Sequence, residues 1–101
     1  MSNKRVYILS DGGHDYRAAE RFGDLVICSE GQLHKDDISQ MYRILTDSLA
    51  DAREDDFILV SSLTSLCMVA SAIMANRFGQ VHLLIYKDGR YEARDLLLEQ
   101  L

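Results

Sequence analysis

Two short stretches carry side chains suited to chemistry. The first is Asp11-Gly12-Gly13-His14-Asp15-Tyr16-Arg17. His14 is the candidate catalytic residue, a general acid or base whose ring Asp11 or Asp15 would orient. Gly12 and Gly13 let the backbone approach a ligand closely or take a positive φ. Tyr16 can stack on a base, and Arg17 can pair with phosphate. The plainer alternative is a glycine-rich turn with exposed polar residues. The second stretch is Ser61-Ser62-Leu63-Thr64-Ser65, between an apolar run and an apolar helical segment. Free amides and the dipole at a helix start favour an anion, and the hydroxyls of Ser61, Ser62, Thr64 and Ser65 would add donors. Here the plainer alternative is that Ser62 or Thr64 caps the helix.

The remaining reactive residues point elsewhere. His34 reads as a solvated loop residue, and His82, alternating with Val81 and Leu83, as a histidine satisfied within a sheet. Neither these nor His14 have metal-type spacing with each other or with Cys28 and Cys67, so no metal site is expected. The two cysteines read as buried free thiols. No P-loop, no GxGxxG and no nucleophile elbow is present, and the sequence calls for no cofactor. The adjacent carboxylates Asp36-Asp37 and Asp55-Asp56 diverge and suit capping and solvated turns better than paired catalysis. Arg90, Glu92 and Arg94 read as an exposed hairpin face.

These stretches need elements to hold them. Val6–Leu9 reads as a first strand ended by Asp11-Gly12-Gly13, and Asp24–Cys28 as a second, closed by Glu30-Gly31. One helical turn is expected around residues 16–22. Ile38, Met41, Tyr42, Leu45, Leu49 and Ala52 fall on one helical stripe, which predicts a helix over 36–53 capped by Asp36 or Asp37. Phe57-Ile58-Leu59-Val60 is apolar throughout, as in a strand buried on both faces. Residues 66–78 form a second helix without a polar face, stopped by Gly79. Val81–Tyr86 and Tyr91–Leu98 flank Lys87-Asp88-Gly89-Arg90, a strong hairpin signal. The reading is one α/β domain over residues 1–101. Its order is β-β-α-β-α-β-β: a single mixed five-stranded sheet with two main helices and a C-terminal β-hairpin. One sheet face lacks a long helix, so either the segment 11–23 or a second copy should cover it.

Composition sets the outer limits. The chain has 101 residues, 48% hydrophobic and 27% charged, with a formal charge of −5. That suits one compact domain with a modest core. The acidic balance argues against long nucleic acid, which demands a cationic face, but leaves room for a small nucleotide. The opening apolar run is too short for a signal-peptide core or a membrane span, so no membrane partner is expected and the expected location is cytoplasmic, in the host cytoplasm if the chain is viral. The apolar second helix leads us to expect a homodimer.

In element order the chain resembles the small viral ring nucleases of the type III anti-CRISPR family. Val6-Tyr7-Ile8-Leu9-Ser10 and Leu59-Val60-Ser61-Ser62-Leu63-Thr64-Ser65 stand where that family has its opening strand and its ligand-facing turn. The family's turn carries a Gly-His pair with a catalytic histidine; this chain has Ser61-Ser62 there, and His14 does not inherit the role by position. The resemblance implies a small dimeric phage or mobile-element protein that binds a nucleotide signal. The expected function is therefore binding of a nucleotide or similar anionic small molecule, to sequester or cleave it in an anti-defence role. Asp11, Gly12, Gly13, Tyr16, Arg17, Ser61, Ser62, Thr64 and Ser65 would line the site. The alternative is a non-catalytic interaction module that docks through its acidic surface and second helix.

Overall fold

The computed structural model describes residues 3–29, 34, 36–61 and 63–98. Five strands form one sheet in the order β2-β1-β3-β4-β5: β1 Arg5–Ile8, β2 Asp24–Ile27, β3 Phe57–Leu59, β4 Gln80–Lys87 and β5 Arg90–Leu97. The first four run parallel, and β5 returns antiparallel from β4. Two helices, α1 Ile38–Ser48 and α2 Thr64–Phe78, and a 3-10 helix over Arg17–Phe22 complete the α/β fold. The hairpin turn is closed by Asp88 and Gly89, both with positive φ (53° and 85°), as a two-residue turn matched to the twist of its strands needs.

The central strands are apolar at successive positions because both faces of the sheet are covered. Tyr7, Ile58 and Val81 face α1 and α2, where they join Met41, Leu45, Leu49, Leu66, Ala70 and Met74 in one core cluster. Val6, Ile8, Leu59 and Leu84 face the other way, against Tyr16, Ala19 and Tyr91. Here the sequence left two possibilities, and the chain itself supplies a cover. The 3-10 helix buries Ala19 completely, and Phe22 meets the Phe57 ring edge-on at 5.6 Å between centroids.

That cover depends on Gly23. A Cβ added there would lie 2.3 Å from the Lys4 carbonyl oxygen, where the Asp24 amide donates to the same oxygen at 2.9 Å as β2 begins beside β1. The blocking atom is backbone and cannot swing away. Gly23→Ala is expected to cost about 2–3 kcal/mol, read as a lower denaturation midpoint with an unchanged slope.

The sequence extended α1 too far. Asp37 caps its start, with Oδ1 accepting from the Gln40 amide at 3.0 Å, but the helix ends at Ser48 rather than near residue 53. Ala50 and Ala52 donate instead to Asp47 and Leu49 in tight turns, and Arg77 of α2 donates to the Leu49 carbonyl at 2.5 Å. A cation there suits the negative end of α1. Leu49 is still fully buried, which is why the apolar spacing outlasted the helix. Ile38 and Tyr42, read as core stripe, are about half exposed, at 48% and 55%.

Among the described residues Asp56 is the charged one buried in the core: its Oδ1 accepts the Arg5 amide at 2.9 Å and its Oδ2 the Arg53 amide at 2.8 Å. It thereby ties the entry to β3 to the start of β1. At the far edge, two β5 carbonyls are taken by arginines, Tyr91 O by Arg21 at 3.3 Å and Ala93 O by Arg94 at 2.8 Å. Charged groups over an edge strand discourage pairing with another chain.

Candidate functional site

Because β1, β3 and β4 are parallel, the segments that follow them all emerge at one sheet edge. Chain direction fixes the rest. From β1 the chain crosses through the 3-10 helix to β2 on one side, whereas β3 lies on the other side of β1. The β1/β3 junction is thus a topological switch point, where the loops part and leave a crevice.

A cleft of about 410 Å³ opens there, within the range of small-molecule sites. His14, Asp15 and Tyr16 line it from the loop after β1, Val60 and Ser61 from the end of β3, and Tyr86 and Tyr91 from the hairpin. The two stretches singled out from sequence therefore meet, and the hairpin adds a third wall. Three of the chain's five tyrosines stand in this cleft.

The individual placements differ. Tyr16 is 7% exposed, its ring lies edge-on to His14 at 6.2 Å between centroids, and its buried hydroxyl has no hydrogen-bond partner. Tyr86 and Tyr91 pack edge-on at 5.2 Å, and burial pushes the Tyr91 phenol upward. Gly13 takes φ +80°, a turn closed by Asp11, whose Oδ1 accepts the Gly13 amide at 3.0 Å. Asp15 is bound to Arg17, with Nη2 to Oδ2 at 2.7 Å and Nε to Oδ1 at 3.0 Å. Both carboxylates proposed to orient His14 are thus engaged elsewhere, and Arg17 is held outside the lining with its side chain 82% exposed.

Ser61 lines the cleft, and its carbonyl accepts from Cys67 Sγ at 3.0 Å. Ser62 lies outside the described residues. Thr64 begins α2 and Ser65 is half-buried behind it; neither lines the cleft, nor do Asp11, Gly12 or Gly13. The N-cap of α2 is Leu63, which offers its first-turn amides no side-chain acceptor. Sequence reasoning missed Val60, Tyr86 and Tyr91. The signal was available for the tyrosines: a parallel β4 must deliver its last residues, and the turn that follows, to the same edge.

The Arg17 guanidinium holds the Asp15 carboxyl down at about 2, from 3.8, chiefly through the side-chain hydrogen bonds and then the Arg17 amide. The folded value is depressed, so this contribution is complete above the ordinary carboxylate range and is lost as pH falls towards 2. Both groups are exposed, so the effect on stability is small. An NMR titration should place the Asp15 midpoint near 2, and Arg17→Ala should return it towards 3.8. A midpoint that Arg17→Ala leaves in place would contradict the pairing.

Outside the cleft, His82 Nδ1 meets Asp95 Oδ1 at 2.6 Å and its ring stands edge-on to Phe57, the satisfied sheet histidine expected. Burial pushes Cys28 up to about 12 and Cys67 upward as well, so neither is a ready nucleophile. Among the described residues no cluster of His, Cys, Asp and Glu could hold a metal ion, and no helix is long and apolar enough to cross a membrane.

A family model for phage Pam3 gp32-like proteins matches residues 4–97, and the chain belongs to that family. It is thus a protein of a phage family, while the ring-nuclease resemblance receives no specific support from this match. Comparison with curated proteins and with solved structures returns no match.

Proposed function

We propose that this phage-family protein binds a nucleotide or similar small molecule in the cleft at the β1/β3 switch point, and so sequesters or cleaves a signalling nucleotide against host defence. The observation that carries the reading is the convergence of the His14–Tyr16 segment, Val60–Ser61 and the hairpin tyrosines on one cleft. Aromatic walls suit a planar base. A phosphate would rest on Ser61 and on the first-turn amides of α2, with Thr64 and Ser65 at that helix start. His14 is the candidate acid or base if a bond is cleaved.

Thermal shifts against mono-, di- and cyclic oligonucleotides test the reading. A ligand at about a hundred times its Kd should add about 2.7 kcal/mol. No shift with any of them removes the nucleotide proposal.

A second reading has its own support. Ile38, Tyr42 and Met68 are 48%, 55% and 67% exposed along α1 and α2, beside a groove floored by Val69 and Ala72. Such a face suits an interaction module or a homodimer. Sedimentation of the wild type and of Met68→Glu tests it. A monomer at high micromolar concentration, with no host protein held through this face, counts against it.

A further inference from the structure

The Tyr16 hydroxyl is the polar atom of the cleft least explained by the fold. It is buried, it lacks a hydrogen-bond partner, and it belongs to a side chain that is 7% exposed and lines the cleft. A buried hydroxyl left unpaired is costly and is normally satisfied by protein or ligand. Its surroundings show how a ligand could reach it. A Cβ on Gly12 would sit 3.7 Å from the hydroxyl and 3.2 Å from the His14 ring, so the imidazole and the diglycine bend lie together over it. His14 itself is exposed, and Gly13 at φ +80° has nothing within 4 Å of where a Cβ would be. The cover is thus one exposed ring on an uncrowded bend.

The rest of the lining decides the ligand class. No Lys or Arg is among the described residues lining the cleft, and its one carboxylate, Asp15, already holds Arg17, whose side chain stands outside the lining. Tyr86, Tyr91 and His14 line it with aromatic rings. Such walls attract a flat, uncharged ring far more than a phosphate chain.

We infer that the cleft recognises a nucleobase rather than its phosphates, with the Tyr16 hydroxyl bonding the polar edge of the base once His14 turns aside. This deepens the proposed function and rests on it. Tyr16 becomes the specificity-determining residue, and the phosphates, passing Ser61 towards the start of α2, add less to affinity than the base does.

The test uses the intact protein and measures binding calorimetrically for adenosine, guanosine, cytidine and uridine, their monophosphates, ribose 5-phosphate and pyrophosphate. At least one nucleoside should bind within about tenfold of its monophosphate, with ribose 5-phosphate and pyrophosphate far weaker. Tyr16→Phe should weaken that nucleoside about tenfold and flatten the preference among bases. The unliganded Tyr16→Phe protein should melt no lower than the wild type, because no internal hydrogen bond is lost. A fall in its Tm would mark the hydroxyl as structural and overturn the inference. Ribose 5-phosphate or pyrophosphate binding as tightly as the nucleotide, or nucleoside binding indifferent to Tyr16→Phe, would overturn it while leaving the cleft as a ligand site. If none of these probes binds while a cyclic oligonucleotide does, the inference fails and the proposed function stands; if neither binds, both fail.

Discussion

Asp56→Ala is expected to destabilise the protein by about 3 kcal/mol. The carboxylate is fully buried and accepts two backbone amides, those of Arg5 and Arg53. Truncation leaves both donors short of their acceptor, and each such loss costs about 1–3 kcal/mol. For a domain of this size that is a fall in Tm of about 12–20 °C. Asp56→Asn should be intermediate, because one oxygen still accepts while the new amide group faces a donor. Urea denaturation measures both, and a loss under about 1 kcal/mol for the alanine variant would show that the two amides find other acceptors.

The second large effect is on binding. Val60 lines the cleft and is 37% exposed, while its amide stays bonded to the Leu84 carbonyl at 2.9 Å. Val60→Trp should therefore fill the cleft without disturbing the strand. Nucleotide affinity is expected to fall at least about a hundredfold, or ~2.7 kcal/mol, with Tm close to that of the wild type. The chain has no tryptophan of its own, so the new indole also reports directly on its surroundings. Unchanged affinity would place the ligand elsewhere.

Local signals carried most of the fold. Asp88-Gly89 specifies a two-residue turn by backbone conformation alone, and the run Phe57-Ile58-Leu59 declares a strand covered on both faces. The end of α1 was not legible in this way. Leu49 keeps its place in the core from a turn, and the cation that receives its carbonyl, Arg77, lies 28 residues further on. The site was legible only in its parts. Both polar loops stood out, but their meeting depends on β1 lying beside β3, a pairing between residues about fifty apart that no local pattern encodes. Arg17 suits phosphate by type, but the spacing alone does not show that Asp15, two residues earlier, is close enough to pair with it. Tyr86 and Tyr91 passed as ordinary strand alternation, since a cross-strand aromatic pair looks the same whether or not a cleft opens beside it.

The hairpin wall and the β1/β3 floor differ in how early they can form. Tyr86 and Tyr91 face each other across a turn of a few residues, so their contact needs only local closure and can appear within microseconds. The floor requires Val6 to find Phe57, and that closure follows only after much of the chain has been ordered. A small molecule held between the two thus selects chains whose most distant pairing is complete. In a refolding experiment, ligand capture should lag the hairpin's aromatic signal and keep pace with the final native population.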